Sequence, residues 1–148
     1  VGDGNRKVLT EHSSTDHSLI HTIPVEIRPD WLAVMNDDRI VISDWEQGRA
    51  DIVDVVDGKA TTESTIKPTI GGQPVKRCRG VSSDRSGIYL AVSTGFYNQG
   101  HIHHYDVTGQ FVSCVAQGLY NPFAMTFTAD GQQLAVADVL SVKVFHRV

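Results

Sequence analysis

Apolar residues along this chain fall into short alternating runs: WLAVM (31–35), RIVIS (39–43), ADIVDVV (50–56), IYLAVS (88–93), QLAVAD (133–138) and VKVF (142–145). β-Branched side chains are frequent in them, as a pleated, half-buried surface favours. Between the runs stand Asp57-Gly58, Ser86-Gly87, Thr108-Gly109 and Asp130-Gly131, each offering a residue that tolerates the positive φ of a tight hairpin. An amphipathic helix needs apolar residues at i, i+3, i+4 and i+7 over about a dozen positions, and no stretch supplies them. The pattern predicts an all-β chain of antiparallel meanders. In its clearest copy the predicted strands are 79–84, 88–94, 101–106 and 111–116. The acidic run DIVDVVD (51–57) reads as a solvated outer strand.

The runs also repeat. GVSSDRSGIYLAV (80–92) lies over AMTFTADGQQLAV (124–136) without a gap, so that Leu90 meets Leu134. WLAVMNDDRIVISD (31–44) is a shorter copy, and Val1-Gly2-Asp3 matches the end of one. The equivalent positions Asp3, Asp44, Thr94 and Asp138 are spaced by 41, 50 and 44 residues. That period is too long for most helical repeats and suits propeller blades. A single four-stranded sheet cannot bury both faces alone, whereas stacking on neighbours does so. The fold expected is therefore an all-β β-propeller of four-stranded antiparallel blades. About three blades' worth is present: the end of one blade at 1–24, blades at 25–75 and 76–119, and the start of a last blade at 120–148. Closed propellers have four to eight blades. The chain is thus expected to be part of a larger propeller, or to self-associate through exposed blade faces.

The stretch GVSSDRSGIYLAVS (80–93), HIHHYDVTGQFVSCVAQGLYNP (101–122) and FAMTFTADGQQLAVAD (123–138), closing on VKVF, resembles successive NHL repeats. VGDGNRKV (1–8) carries the Asp-x-Asn-Arg phrase of that family. Thr94 departs from the pattern by replacing an Asp, and WEQGRA (45–50) and VLSVKV (139–144) lack the Asn-Arg pair. Kelch repeats would need paired glycines, and WD40 repeats their Gly-His and Trp-Asp signatures. The ending VKVFHRV is similar to the C-terminus of tripartite-motif (TRIM) NHL proteins. The resemblance implies a protein-recognition propeller, the substrate-binding end of a TRIM-type ubiquitin ligase whose RING, B-box and coiled coil lie outside this chain. Some NHL propellers bind single-stranded RNA in post-transcriptional regulation, which is the alternative the resemblance offers.

Composition narrows the chemistry. The 148 residues suit one domain, and 13 Lys and Arg against 17 Asp and Glu give a net charge of −4. This disfavours a general polyanion binder but leaves room for a local basic patch. Cys78 and Cys114 show no metal-ligand spacing, no Asn-x-Ser/Thr acceptor is present, and no apolar run is long enough to span a bilayer. A cytoplasmic protein without membrane contact is expected. His101 and His103 share one strand face, a geometry able to ligate zinc, yet no third ligand stands near them in sequence, so no metal and no cofactor is expected. First-strand positions Leu32, Val34, Val81, Ser83, Met125 and Phe127 lack the carboxylates and histidines of propeller enzymes. With no Gly-x-Ser-x-Gly, phosphate loop or His-Glu-x-x-His, no catalytic residue is assigned.

A binding face remains. Loops joining second to third strands, WEQGRA (45–50) and GFYNQG (95–100), should share one side with the inter-blade linkers KRCR (76–79) and YNPF (120–123). They offer planar groups in Trp45, Phe96, Tyr97, Tyr120 and Phe123, charge in Arg49, Lys76, Arg77 and Arg79, and hydrogen bonding in Asn98 and Asn121. Interface hot spots favour this mixture.

Overall fold

The computed structural model describes residues 1–36, 38–95 and 99–146. Among them every regular element is a strand, and no helix is long and apolar enough to cross a membrane. A three-stranded sheet comes first: β1 (Gly2–Asp3), β2 (Val8–His12) and β3 (Leu19–Pro24). A four-stranded sheet follows, made of β4 (Trp31–Val34), β5 (Arg39–Asp44), β6 (Arg49–Val56) and β7 (Lys59–Ile66). A small hairpin, β8 (Thr69–Ile70) with β9 (Gln73–Pro74), leads into a second four-stranded sheet. That sheet contains β10 (Arg77–Asp84), β11 (Gly87–Ser93), β12 (Gly100–Tyr105) and β13 (Phe111–Leu119). The last sheet is β14 (Ala124–Phe127), β15 (Gln133–Ala137) and β16 (Val142–His146). Each sheet is an antiparallel meander in chain order.

The sheets stack, and the period-two alternation of each strand serves both of its faces. On β11, Ile88, Leu90 and Val92 pack towards the β4–β7 sheet with Val41, Ile52 and Ile66. Tyr89 and Ala91 point the other way and meet Leu134 and Val136 of β15. Every residue of β11 is consequently buried. A third cluster joins Leu9 and Ile23 to Ile42 and Val53, between the first two sheets. First strands lie close together: β10 contacts β4 on one side and β14 on the other. Of the outermost strands, β13 is mostly exposed, and β7 alternates between exposed and partly buried residues.

Leu90 and Leu134 both lie on second strands, but the gapless sequence match is not a gapless structural one. Val81 pairs with Leu90, whereas the equivalent Met125 pairs with Val136, two residues further on. An even shift keeps every side chain on its face. The difference lies in the turns. Asp84 Oδ1 takes the Ser86 N–H at 2.8 Å in a tight hairpin, whereas Thr128 and Asp130 build a longer one. One expectation is corrected: 51–57 is not a solvated outer strand. It falls mostly in β6, paired on both sides, with Asp51, Ile52 and Val53 buried. The Asp51 carboxylate is accommodated because Thr65, opposite it on β7, donates to it at 2.8 Å.

Candidate functional site

The repeated aspartates explain how the loop side of the molecule is built. Asp44 Oδ1 accepts the N–H groups of Glu46 and Gln47, both at 3.0 Å, and Asp138 Oδ1 accepts those of Leu140 and Ser141, both at 2.9 Å. Asp3 does the same for Asn5 and Arg6. An Asx turn of this kind closes the tight connection to the third strand. The second carboxylate oxygen reaches back to the linker that precedes the sheet: Asp44 Oδ2 accepts from Arg28 N–H at 3.1 Å, and Asp138 Oδ2 from Tyr120 N–H at 3.2 Å. Turn and linker are thereby fixed side by side on one rim. Where Thr94 replaces the aspartate, its hydroxyl bonds Gln99 instead, at 2.5 Å.

On this rim the structure brings Trp45, Arg77 and Arg79 together. The guanidinium carbons of Arg77 and Arg79 stand 5.6 and 5.5 Å from the indole centroid, within cation–π range. Arg77 and Arg79 both lie on β10, which starts two residues earlier than expected and so takes Arg77 out of the linker. Alternation puts Cys78 between them into the core and leaves both arginines on the Trp45 side. Burial first, and then the charge of Arg77, lowers the pKa of Arg79 from its ordinary value. Its Nε–H is buried without a hydrogen-bond partner among the described residues, and so is that of Arg49. The Ser43 hydroxyl donates to the Arg79 carbonyl, tying the two sheets at this point. Arg49 contacts Asp51 at 3.5 Å.

The remaining candidates spread along the rim. Lys76 bonds the Ser93 carbonyl through its N–H at 3.0 Å, and its side chain runs past Gly95. Asn121 adopts a positive φ of 53° and accepts from the Ser93 hydroxyl at 3.5 Å. Tyr120 is half-buried, whereas Phe123 is exposed and its N–H donates to the Ala137 carbonyl at 3.0 Å. Phe96, Tyr97 and Asn98 lie outside the described residues.

A second constellation was missed in the sequence. Cys114 on β13 pairs opposite His103 on β12, so the third potential ligand is adjacent in space. The hairpin turn at 106–110 carries the signal, because folding 101–105 back on 111–115 sets these positions across from each other. Burial, and secondarily His101, lowers the pKa of His103 to about 4; burial also lowers that of His101 and raises that of Cys114. Both rings are therefore neutral at pH 7. On the opposite face, a cleft of about 520 Å³ between the last two sheets is lined by the stacked Tyr89–His104 pair, Ser86, Phe127 and Phe145.

No family model and no curated protein matches the sequence. Solved structures do. A Kuenenia stuttgartiensis hydrazine synthase chain is 18% identical with a TM-score of 0.68, covering 95% of this chain and 40% of its own length. A functionally unknown protein from Desulfotomaculum acetoxidans is 10% identical with a TM-score of 0.67, covering 97% of this chain and 45% of its own. The computationally designed Ika8 protein is 11% identical with a TM-score of 0.66, covering 98% and 41%. At these identities the likeness is one of fold. This chain spans less than half the length of each.

Proposed function

We propose that these stacked sheets are NHL-type β-propeller blades whose rim recognises a protein partner, with Trp45, Arg77 and Arg79 as the anchor. The adjacent first strands β4, β10 and β14 support the propeller reading, since such strands line a propeller's axis. One observation carries the recognition reading. Two arginines are held against one indole, and the Nε–H of Arg79 is buried without a partner among the described residues. Both arginines are only partly buried, so an acidic side chain from a partner would meet their guanidinium groups with charge-assisted bonds and offset the cost of the orphaned Nε–H. The indole offers the flat, apolar contact that interface hot spots use. By the NHL resemblance, the setting would be substrate capture for a TRIM-type ubiquitin ligase.

The same groups could stack a base and hold phosphate, which is the basis of the single-stranded RNA reading. Peptide-display selection on the chain, with fluorescent single-stranded RNA titrated in parallel at two salt concentrations, separates the two. The protein reading expects acidic peptides whose affinity falls about 30-fold, or roughly 2 kcal/mol, in Trp45→Ala and Arg79→Glu. Sequence-selective RNA binding, weakened by salt and abolished by reversing Lys76, Arg77 and Arg79, would replace it.

A further inference from the structure

We propose that His101, His103 and Cys114 form a zinc site on the face of the β10–β13 sheet opposite the Tyr89–His104 cleft. The two histidines stand at i and i+2 of β12, so both rings leave the strand on one side. Cys114 faces His103 across the antiparallel register. His101 Nδ1 lies 3.3 Å from His103 Nε2 and 3.8 Å from Cys114 Sγ, and all three ligand atoms fall within 4.8 Å of one another. A tetrahedral zinc ion with nitrogen at about 2.0–2.1 Å and sulfur at about 2.3 Å sets edges of roughly 3.3 Å between nitrogens and roughly 3.6 Å from nitrogen to sulfur. Two hydrogen-bonded strands hold the two edges from His101 near those spacings and the third within 4.8 Å, a gap that side-chain rotation closes.

The surroundings suit the ion. His103 Nδ1 faces the Tyr105 hydroxyl at 3.2 Å, and a proton donated there leaves the Nε2 lone pair turned towards the other ligands. Such outer partners fix the tautomer of a ligating histidine. Phe111 packs edge-on against the His103 ring at 5.3 Å and shields that side. Cys114 is exposed, which gives the ion a path in and leaves its fourth position to water or an added anion. The cluster holds no carboxylate among the described residues, and a thiolate with two imidazoles favours zinc over magnesium or calcium.

The metal-depleted 148-residue chain is titrated with Zn²⁺ against a chromophoric chelator, and with Co²⁺ as a spectroscopic surrogate. The expected result is one equivalent bound with micromolar or tighter affinity, and a thiolate-to-cobalt charge-transfer band. Cys114→Ser should abolish the band, and both Cys114→Ser and His101→Gln should weaken zinc about tenfold or more. His104→Gln, which alters the opposite face, should change neither. Circular dichroism checks folding. Alkylating Cys114 in the folded protein repeats the test without a substitution, because Cys78 is buried. Absence of saturable Zn²⁺ binding in the micromolar range would overturn the site. So would binding that survives both the cysteine and histidine changes, or that survives alkylation.

Discussion

Asp138 shows what a single carboxylate does on the rim. It is buried, its Oδ1 accepts two turn N–H groups, and its Oδ2 accepts the Tyr120 N–H and the Lys143 ammonium at 2.6 Å. Burial alone would raise its pKa, but Lys143 and the N–H groups of Leu140, Tyr120 and Ser141 outweigh burial and hold it well below the carboxylate range. A folded-state pKa below the unfolded value of about 3.9 stabilises fully above that pH, and the gain is lost as pH falls through the folded value. Asp138→Asn should therefore lower stability by about 2 kcal/mol at pH 7. The gap to wild type should narrow below about pH 4. Urea melts at pH 7 and pH 3 check this, and an undiminished gap at pH 3 would contradict it. The recurrence of this aspartate was legible in the sequence; its work was not. Its linker partner stands 18 residues upstream, too far for local spacing to reveal. Arg77 and Arg79 were legible as a basic pair, but their shared indole depends on how two sheets stack.

At the scale of elements, strand positions followed closely from alternation and turn pairs. β10 begins at Arg77 rather than 79, and β13 runs on to Leu119 rather than 116. β6 was misread because Asp51 and Asp54 mimic a wet strand, while cross-strand help from Thr65 leaves no trace in the pattern. β11 is the most deeply enclosed element, so Leu90→Ala should cost about 2–5 kcal/mol, measured by chemical denaturation. A loss under about 1 kcal/mol would mean that the two sheets separate readily. Gly48 tests the turn after β5. Its φ is +61°, and a Cβ there would run into the Val75 carbonyl oxygen of the neighbouring linker. Gly48→Ala should destabilise by about 1–3 kcal/mol, with a lowered thermal midpoint as the readout.

Across the whole molecule, burial is uneven at its two flanks. The β14–β16 sheet covers one face with Met125, Phe127 and Leu134 but presents Ala124, Ala135, Ala137 and Val142 on the other. Val142 and Val144 are 68% and 52% exposed. An uncovered apolar sheet face favours association. Light scattering of the chain alone should show dimers or larger species, and Val142→Lys with Val144→Glu should shift them towards monomer. A monodisperse monomer before substitution would refute this. The aspartate joints have a broader consequence. Asp44 and Asp138 make the same bonds to a turn ahead and a linker behind, so the β4–β7 and β14–β16 sheets each carry their own connector, which the β10–β13 sheet lost with Thr94. An in-frame duplication of roughly 45 coding triplets would therefore insert a unit that already matches both neighbours. An array joined this way can lengthen or shorten by whole units during descent, while each copy is left to diverge in its exposed loops.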